Sequence, residues 1–230
     1  MSNMCISIVI PTLNESGYIE STLMCLETLR QQGHEVIVVD GGSQDETVEL
    51  AKSKVDKVIQ TTPGRAHQMN VGASHATGDI LWFIHADTQV SENASKQILR
   101  VLDNENNHWG RFDIRLSGKH LLLRVVEILM NLRSCITGIA TGDQGIFVRR
   151  ACFEAIGRFK PIPLMEDIEI SRRLKKWSRP CCIHDPIITS SRRWEKNGVL
   201  RTILLMWRLR LAYALGISPE KLAHEYEFSE

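Results

Sequence analysis

Residues Gly78 to Ala94 read GDILWFIHADTQVSENA. The segment begins as an unbroken apolar run from Ile80 to Ile84 and stops at His85, Ala86 and Asp87. Such a run marks a parallel strand covered on both faces, and open α/β sheets bind ligands just beyond the carboxyl ends of their strands. A histidine and a carboxylate at that end predict a site there.

Upstream the same grammar repeats. Cys5 to Ile10 form an apolar strand ending at Pro11, and Ile19, Leu23, Leu26 and Leu29 follow at helical spacing before Gly33 closes the helix. EVIVVDGG is a second buried strand. Ser43 with Glu46 forms a capping-box pattern that opens a helix through Val48 and Ala51, so the DGGS turn falls at that strand's carboxyl end. Lys57–Gln60 reads as a short third strand, Arg65–His75 as a helix and Asp79–Ile84 as the fourth strand. This alternation predicts an α/β fold with a mostly parallel, Rossmann-like sheet flanked by helices. The G-x-G-x-x-G fingerprint is missing after the first strand, where PTLNES stands, which disfavours a dinucleotide-binding dehydrogenase.

Beyond Asp87 the alternation decays. GRFDIRL reads as an extended strand, Leu121 to Leu132 as an apolar helix, and GDQGIFVRR as a strand feeding a helix from Ala151. MEDIEISRRLKKW carries carboxylates in its first turn and basic residues in its last, the arrangement that complements a helix dipole. The expected organisation is one domain over residues 1–190 with a helical extension over 191–230 packed on it.

At 230 residues and 43% hydrophobic, the chain suffices for one sizeable core. Its 28 basic against 27 acidic side chains leave a formal charge of +1, so no global field attracts nucleic acid and any anion site must be local. The first apolar run lacks a preceding basic segment and is too short for a signal peptide or membrane span, which predicts a cytoplasmic protein. The six cysteines show no paired metal-ligand spacing and read as reduced thiols. The tail VLRTILLMWRLRLAYALGI is apolar but interrupted by Arg201, Arg208 and Arg210, which suits an amphipathic helix. It covers the core or a homodimer face, or else holds the protein peripherally at the inner face of the membrane.

Taken in order, SIVIPTLNE, VVDGGSQDET, FIHADT and MEDIEISRRL resemble the family 2 glycosyltransferases of the GT-A fold. GRAHQMNVGA, TGDQGIFVRR and RRWEKNGVLRT are similar to a small bacterial branch of that family. The resemblance implies a nucleotide-sugar donor, a divalent metal (Mn2+ or Mg2+), inverting transfer, and a saccharide, lipid or small-molecule acceptor.

It also implies roles for individual residues. Asp40 would hydrogen-bond the donor's base or ribose, with a turn or helix cap as the alternative. Pro11, Asn14 and Glu15 would frame the nucleotide pocket, or form only a turn and helix start, and Arg65 would offer its planar guanidinium to the diphosphate or base, or face solvent from its helix. In the family's Asp-x-Asp pattern the second carboxylate is the direct metal ligand. Here the triplet is His85-Ala86-Asp87, so Asp87 takes that role while His85 reaches the ribose or phosphate, assists the metal, or simply ends the strand. Of the Glu166-Asp167 pair, Asp167 would be the general base and Glu166 its neighbour. Gly142, Asp143 and Gln144 would approach the sugar or acceptor, or form only a turn. In RRW, Arg193 and Trp194 would contact the acceptor, or Trp194 would anchor the tail.

Two rival readings remain at this level. A nucleotidyltransferase shares the sheet topology but usually opens with a glycine-rich, lysine-bearing loop, which PTLNES lacks. A noncatalytic nucleotide-sugar-binding scaffold would be expected to have lost Asp87 or Asp167, and both are present.

Overall fold

The computed structural model describes residues 4–227. Seven strands form one sheet in the order β3-β2-β1-β4-β6-β5-β7, comprising β1 (Ile6–Thr12), β2 (Glu35–Asp40), β3 (Lys57–Gln60), β4 (Ile80–Phe83), β5 (Trp109–Leu116), β6 (Phe147–Arg149) and β7 (Cys181–Thr189). The pairs β1·β2, β1·β4, β2·β3 and β5·β7 are parallel, and only β6 runs against its neighbours. The chain leaves the centre in opposite directions from β1 and β4. The crevice at their carboxyl ends is where such sheets take ligands.

Residues 80–84 are buried throughout, as a strand covered on both faces requires. Helix α1 (Ser16–Gln31) turns Ile19, Leu23, Leu26 and Leu29 into the core, and α2 (Thr47–Lys52) follows β2. The Ser43/Glu46 capping box does not form. The Ser43 hydroxyl donates to Asp40 instead, and Asp45 accepts from the Thr47 amide at 3.0 Å at the start of α2. A second departure lies at GDQG, where Gly142–Gln144 make one 3-10 turn and only Phe147–Arg149 are strand.

Helix α3 (Arg65–His75) crosses β1 and β2 so closely that a Cβ on Gly72 would stand 2.4 Å from Val9 Cγ1 and 2.9 Å from Val39 Cγ2. Gly72→Ala gains about 1 kcal/mol in helix propensity and loses about 1–3 kcal/mol to overpacking. A lower thermal midpoint is therefore expected. An unchanged or higher midpoint would mean that helix and sheet separate freely at this crossing.

The remaining helices are α4 (Ala94–Leu102), α5 (Leu121–Thr137), α6 (Arg150–Ala155), α7 (Glu166–Leu174), α8 (Arg192–Asn197), α9 (Val199–Ala214) and α10 (Pro219–Glu227). The last three follow β7 and close one side of the crevice. Leu209 of α9 and Leu222 of α10 form a small core with Met165 and Ile168. Among the described residues, no helix is long and apolar enough to cross a membrane.

Candidate active site

A cavity of about 710 Å³ lies at the carboxyl edge of β1 and β4, walled on its far side by α7, α8 and α9. Of the residues singled out from the sequence, Pro11, Glu15, Arg65, His85, Ala86, Asp87, Gly142, Asp143, Glu166, Asp167, Arg193 and Trp194 line it. They come from segments as far apart as Pro11 and Trp194, and the sheet edge brings them together.

The His-Ala-Asp segment is fixed by the fold. Thr22 Oγ1 of α1 donates to the Ala86 carbonyl at 2.7 Å, and His85 Nδ1 stands 3.2 Å from Asp143 Oδ1. Gly142 makes this approach feasible, since a Cβ there would lie 2.7 Å from His85 Nε2. Burial opposes ionisation of Asp143. The hydrogen bond and charge of His85, helped by Arg65 and Arg193, outweigh it and hold the carboxyl below its ordinary value.

Asp87 is placed differently. Its side chain is 13% exposed, and among the described residues its ion-pair partner is Arg192, with Nη2 at 3.8 Å. Burial pushes this carboxyl above its ordinary value, and the charges of Asp143 and Glu15 push the same way against the pull of His85 and Arg192. A desolvated carboxylate this poorly compensated suits a hard cation. Among the described residues no three His, Cys, Asp or Glu side chains converge into a metal cage. Asp87 therefore fits a metal held largely by ligands other than protein, as a bound diphosphate supplies.

On the facing wall, the backbone of Met165 takes the left-handed conformation at φ 68° just before α7. A non-glycine residue there is strained, and such strain gathers at functional turns. It presents Glu166 and Asp167 to the cavity. Asp167 Oδ2 accepts from the Gly142 amide at 3.0 Å and Oδ1 from its neighbour Ile168 at 2.7 Å. Burial and then the Glu166 charge raise the Asp167 carboxyl to about 6, against those amide hydrogen bonds and Arg65. Glu166 Oε1 lies 3.6 Å from the half-exposed Arg65 guanidinium.

Three expected site residues do not reach the cavity. Asp40 is fully buried, its Oδ2 accepting from the Gly42 and Ser43 amides at 2.9 Å and its Oδ1 from the Thr12 and Ser43 hydroxyls. These are the hydrogen bonds of a turn aspartate, the alternative that the sequence left open beside a donor contact. Asn14, itself left-handed at φ 54°, accepts from the Gln44 amide at 2.8 Å and braces the same turn. Gln144 is buried, with Oε1 accepting from the Thr141 amide and Nε2 donating to Ser134 Oγ of α5.

Arg192 opens the RRW element, for which the resemblance implies a place near the diphosphate and acceptor, but it was given no role of its own. It makes two hydrogen bonds to Glu15, at 2.7 and 2.9 Å, stacks 4.6 Å over the Tyr18 ring and faces Asp87. It ties α8 to α1 across the mouth of the cavity. Gln68 is a second omission, its amide donating to the Thr12 and Val39 carbonyls at 2.8 Å and clamping the ends of β1 and β2.

The family model described as Glycosyl transferase family 2 matches residues 7–159. The chain is 25% identical over 186 residues to poly-beta-1,6-N-acetyl-D-glucosamine synthase of Staphylococcus aureus, an alignment covering 74% of this chain and 45% of that protein. It thus spans about half the length of that curated relative. Among solved structures it is similar to the mannosyltransferase PcManGT from Pyrobaculum calidifontis in complex with GDP-Man and Mn2+, at TM-score 0.65 and 21% identity over 98% of this chain and 70% of that one. It is similar too to S. aureus TarS 1-349 in complex with UDP-GlcNAc, at TM-score 0.65 and 20% identity over 81% of this chain and 58% of that one. These likenesses carry the GT-A fold, and with the family model matching most of the sheet and its crevice, the chain belongs to glycosyl transferase family 2.

Proposed function

We propose that the protein transfers a sugar from a nucleotide-diphosphate sugar to a hydroxyl acceptor, with inversion at the anomeric carbon. The observation that carries this reading is the pairing, across one cavity, of an under-compensated carboxylate at Asp87 with a base-like carboxylate at Asp167. The neighbours' complexes with UDP-GlcNAc and GDP-Man support the donor class.

The donor's nucleotide lies along Pro11, Glu15 and Arg65, with its diphosphate toward Asp87. Asp87 would hold a divalent cation, Mn2+ or Mg2+, which when bound would supply positive charge to offset that of the leaving group. Asp167 accepts the acceptor's hydroxyl proton as that oxygen bonds to the anomeric carbon. The bond from carbon to diphosphate breaks on the opposite face, and the nucleoside diphosphate departs with the electron pair. A carboxyl at about 6 is ionised at neutral pH yet basic enough to share a proton in the transition state. Glu166 and Arg65 orient this end, while Asp143, Arg193 and Trp194 meet the sugar or acceptor.

Incubation with Mn2+ and a panel of nucleotide sugars, followed by assay of free nucleoside diphosphate, is expected to show slow donor hydrolysis with one donor preferred. Release of pyrophosphate from nucleotide triphosphates would indicate nucleotidyl transfer instead. Silence with every donor, alongside measurable nucleotide-sugar binding, would leave a noncatalytic scaffold.

A further inference from the structure

Helix α5 buries Leu123 and Val126 but leaves most of its other aliphatic side chains exposed. Its polar side chains turn toward the protein: Glu127 accepts from the Leu116 amide and pairs with Arg124, Asn131 bonds both backbone groups of Ile114, and Ser134 holds Gln144. Its exposed positions, Thr137 apart, are all aliphatic, with Leu121 81% and Ile128 63% accessible and Val125, Leu129, Leu132 and Ile136 beside them. Helix α9 packs against α5 and repeats the pattern with Leu200, Leu204, Trp207 and Leu211 at one-turn intervals, continued by Leu215. Two helices in contact thus each expose an apolar stripe. A surface of this kind marks an interaction site.

Charge identifies the occupant. From Val199 to Ile217 there are three arginines and no acidic residue, and the only acid of α5, Glu127, is turned inward. Arg201 is exposed, Lys119 is exposed just before α5, Arg208 pairs with Glu225 of α10, and Arg210 lines the cavity. Arg201 and Lys119 are therefore the basic side chains left exposed beside the aliphatic residues, and α5 and α9 expose no acid to balance them. A two-fold symmetric contact between copies would set this arginine-bearing face against itself, whereas anionic headgroups complement it. Trp207 sits among the aliphatic residues, and tryptophan favours the level of lipid headgroups.

We infer that the α5/α9 face docks on an anionic bilayer surface, with its aliphatic side chains entering the headgroup boundary and neither helix spanning it. The opposite side of α9 belongs to the catalytic cavity, and that of α5 braces the turn beside it. Thr202, Met206 and Arg210 of α9 line it, and Ser134 of α5 holds the turn that presents Gly142 and Asp143. One helix thickness, about 10 Å, then separates the lipid surface from the cavity wall.

Flotation of the full chain with phosphatidylcholine vesicles, with and without phosphatidylglycerol, tests this independently of any transfer activity. Binding that requires the anionic lipid and weakens with salt is expected. Arg201→Gln is expected to lower affinity about fivefold, the loss for one basic residue near an anionic surface. Ile128→Asp with Leu204→Asp is expected to lower it at least tenfold at an unchanged thermal midpoint, because both side chains point away from the core. Absence of vesicle binding, or binding indifferent to the double substitution, would overturn the inference. A dimer that the double substitution dissociates, in protein that ignores vesicles, would assign the face to a second copy.

Discussion

Asp167→Asn is expected to bind donor as wild type does and to transfer sugar about 10²- to 10⁴-fold more slowly, the usual loss on removing a general base. The amide keeps an acceptor for the Gly142 or Ile168 amide, so the loop geometry survives while the proton acceptor is lost. Wild-type kcat/KM should rise with pH through about 6 as the carboxyl ionises, and the variant should lack that limb. Glu166→Gln should be milder, since Glu166 meets Arg65 and orients the pair without taking the proton. If Asp167→Asn retains near wild-type rate while Glu166→Gln is dead, the two roles exchange. If both stay active, the base lies elsewhere.

The same substitution carries a stability signature of opposite sign. Above about pH 6 the Asp167 carboxyl is ionised in both folded and unfolded chains, and the folded state bears the full cost of burying it. As pH falls from about 6 toward 4 the folded state takes up the proton first, so the cost fades, and below 4 it is gone. A rise from 3.8 to about 6 corresponds to about 3 kcal/mol, which opening toward cavity water reduces to about 1–2 kcal/mol. Asp167→Asn should therefore be more stable than wild type at pH 7–8 and equal to it near pH 4. Stability surrendered at a reactive group is a familiar trade.

What the sequence discloses about this site follows from how strands end. A buried parallel strand needs unbroken apolar residues, so the first polar residue after it is visible, and His85, Ala86 and Asp87 could be located from Ile80–Ile84 alone. Glu166 and Asp167 are visible for the converse reason, an acidic helix start that dipole chemistry makes conspicuous. Asp40, Asn14 and Gln144 follow the same grammar but turn to neighbouring backbone, and local sequence does not say whether a turn side chain faces its own loop or the cavity. The RRW element stood out, but the pairing of Arg192 was illegible because its partner, Glu15, lies 177 positions earlier. The exposed aliphatic stripe of α5 was hidden similarly. Helical periodicity marks an apolar side, but only the fold decides that the polar residues Glu127 and Asn131 are the ones that meet the sheet.

Asp87→Ala is expected to weaken metal-supported donor binding about 100-fold or more while leaving the fold intact or slightly firmer. The two halves share one cause. With Arg192 no closer than 3.8 Å and with Asp143 and Glu15 nearby, the ionised Asp87 carboxylate is poorly compensated without its ligand, so removing it relieves the folded state. Because burial raises this carboxyl, the wild type gains stability as pH falls toward the ordinary carboxylate range, and the alanine variant should lose that contribution to the slope. Titration calorimetry with nucleoside diphosphate, run with and without Mn2+, separates the outcomes. The variant should retain the weak metal-independent affinity of Pro11, Glu15 and Arg65 and lose the increment that Mn2+ adds. Equal Mn2+-dependent affinity in variant and wild type would make Asp87 a structural strand end and remove the metal from its side of the cavity. A large drop in thermal midpoint would show instead that the contacts of Asp87 with Arg192 support the fold more than their geometry allows.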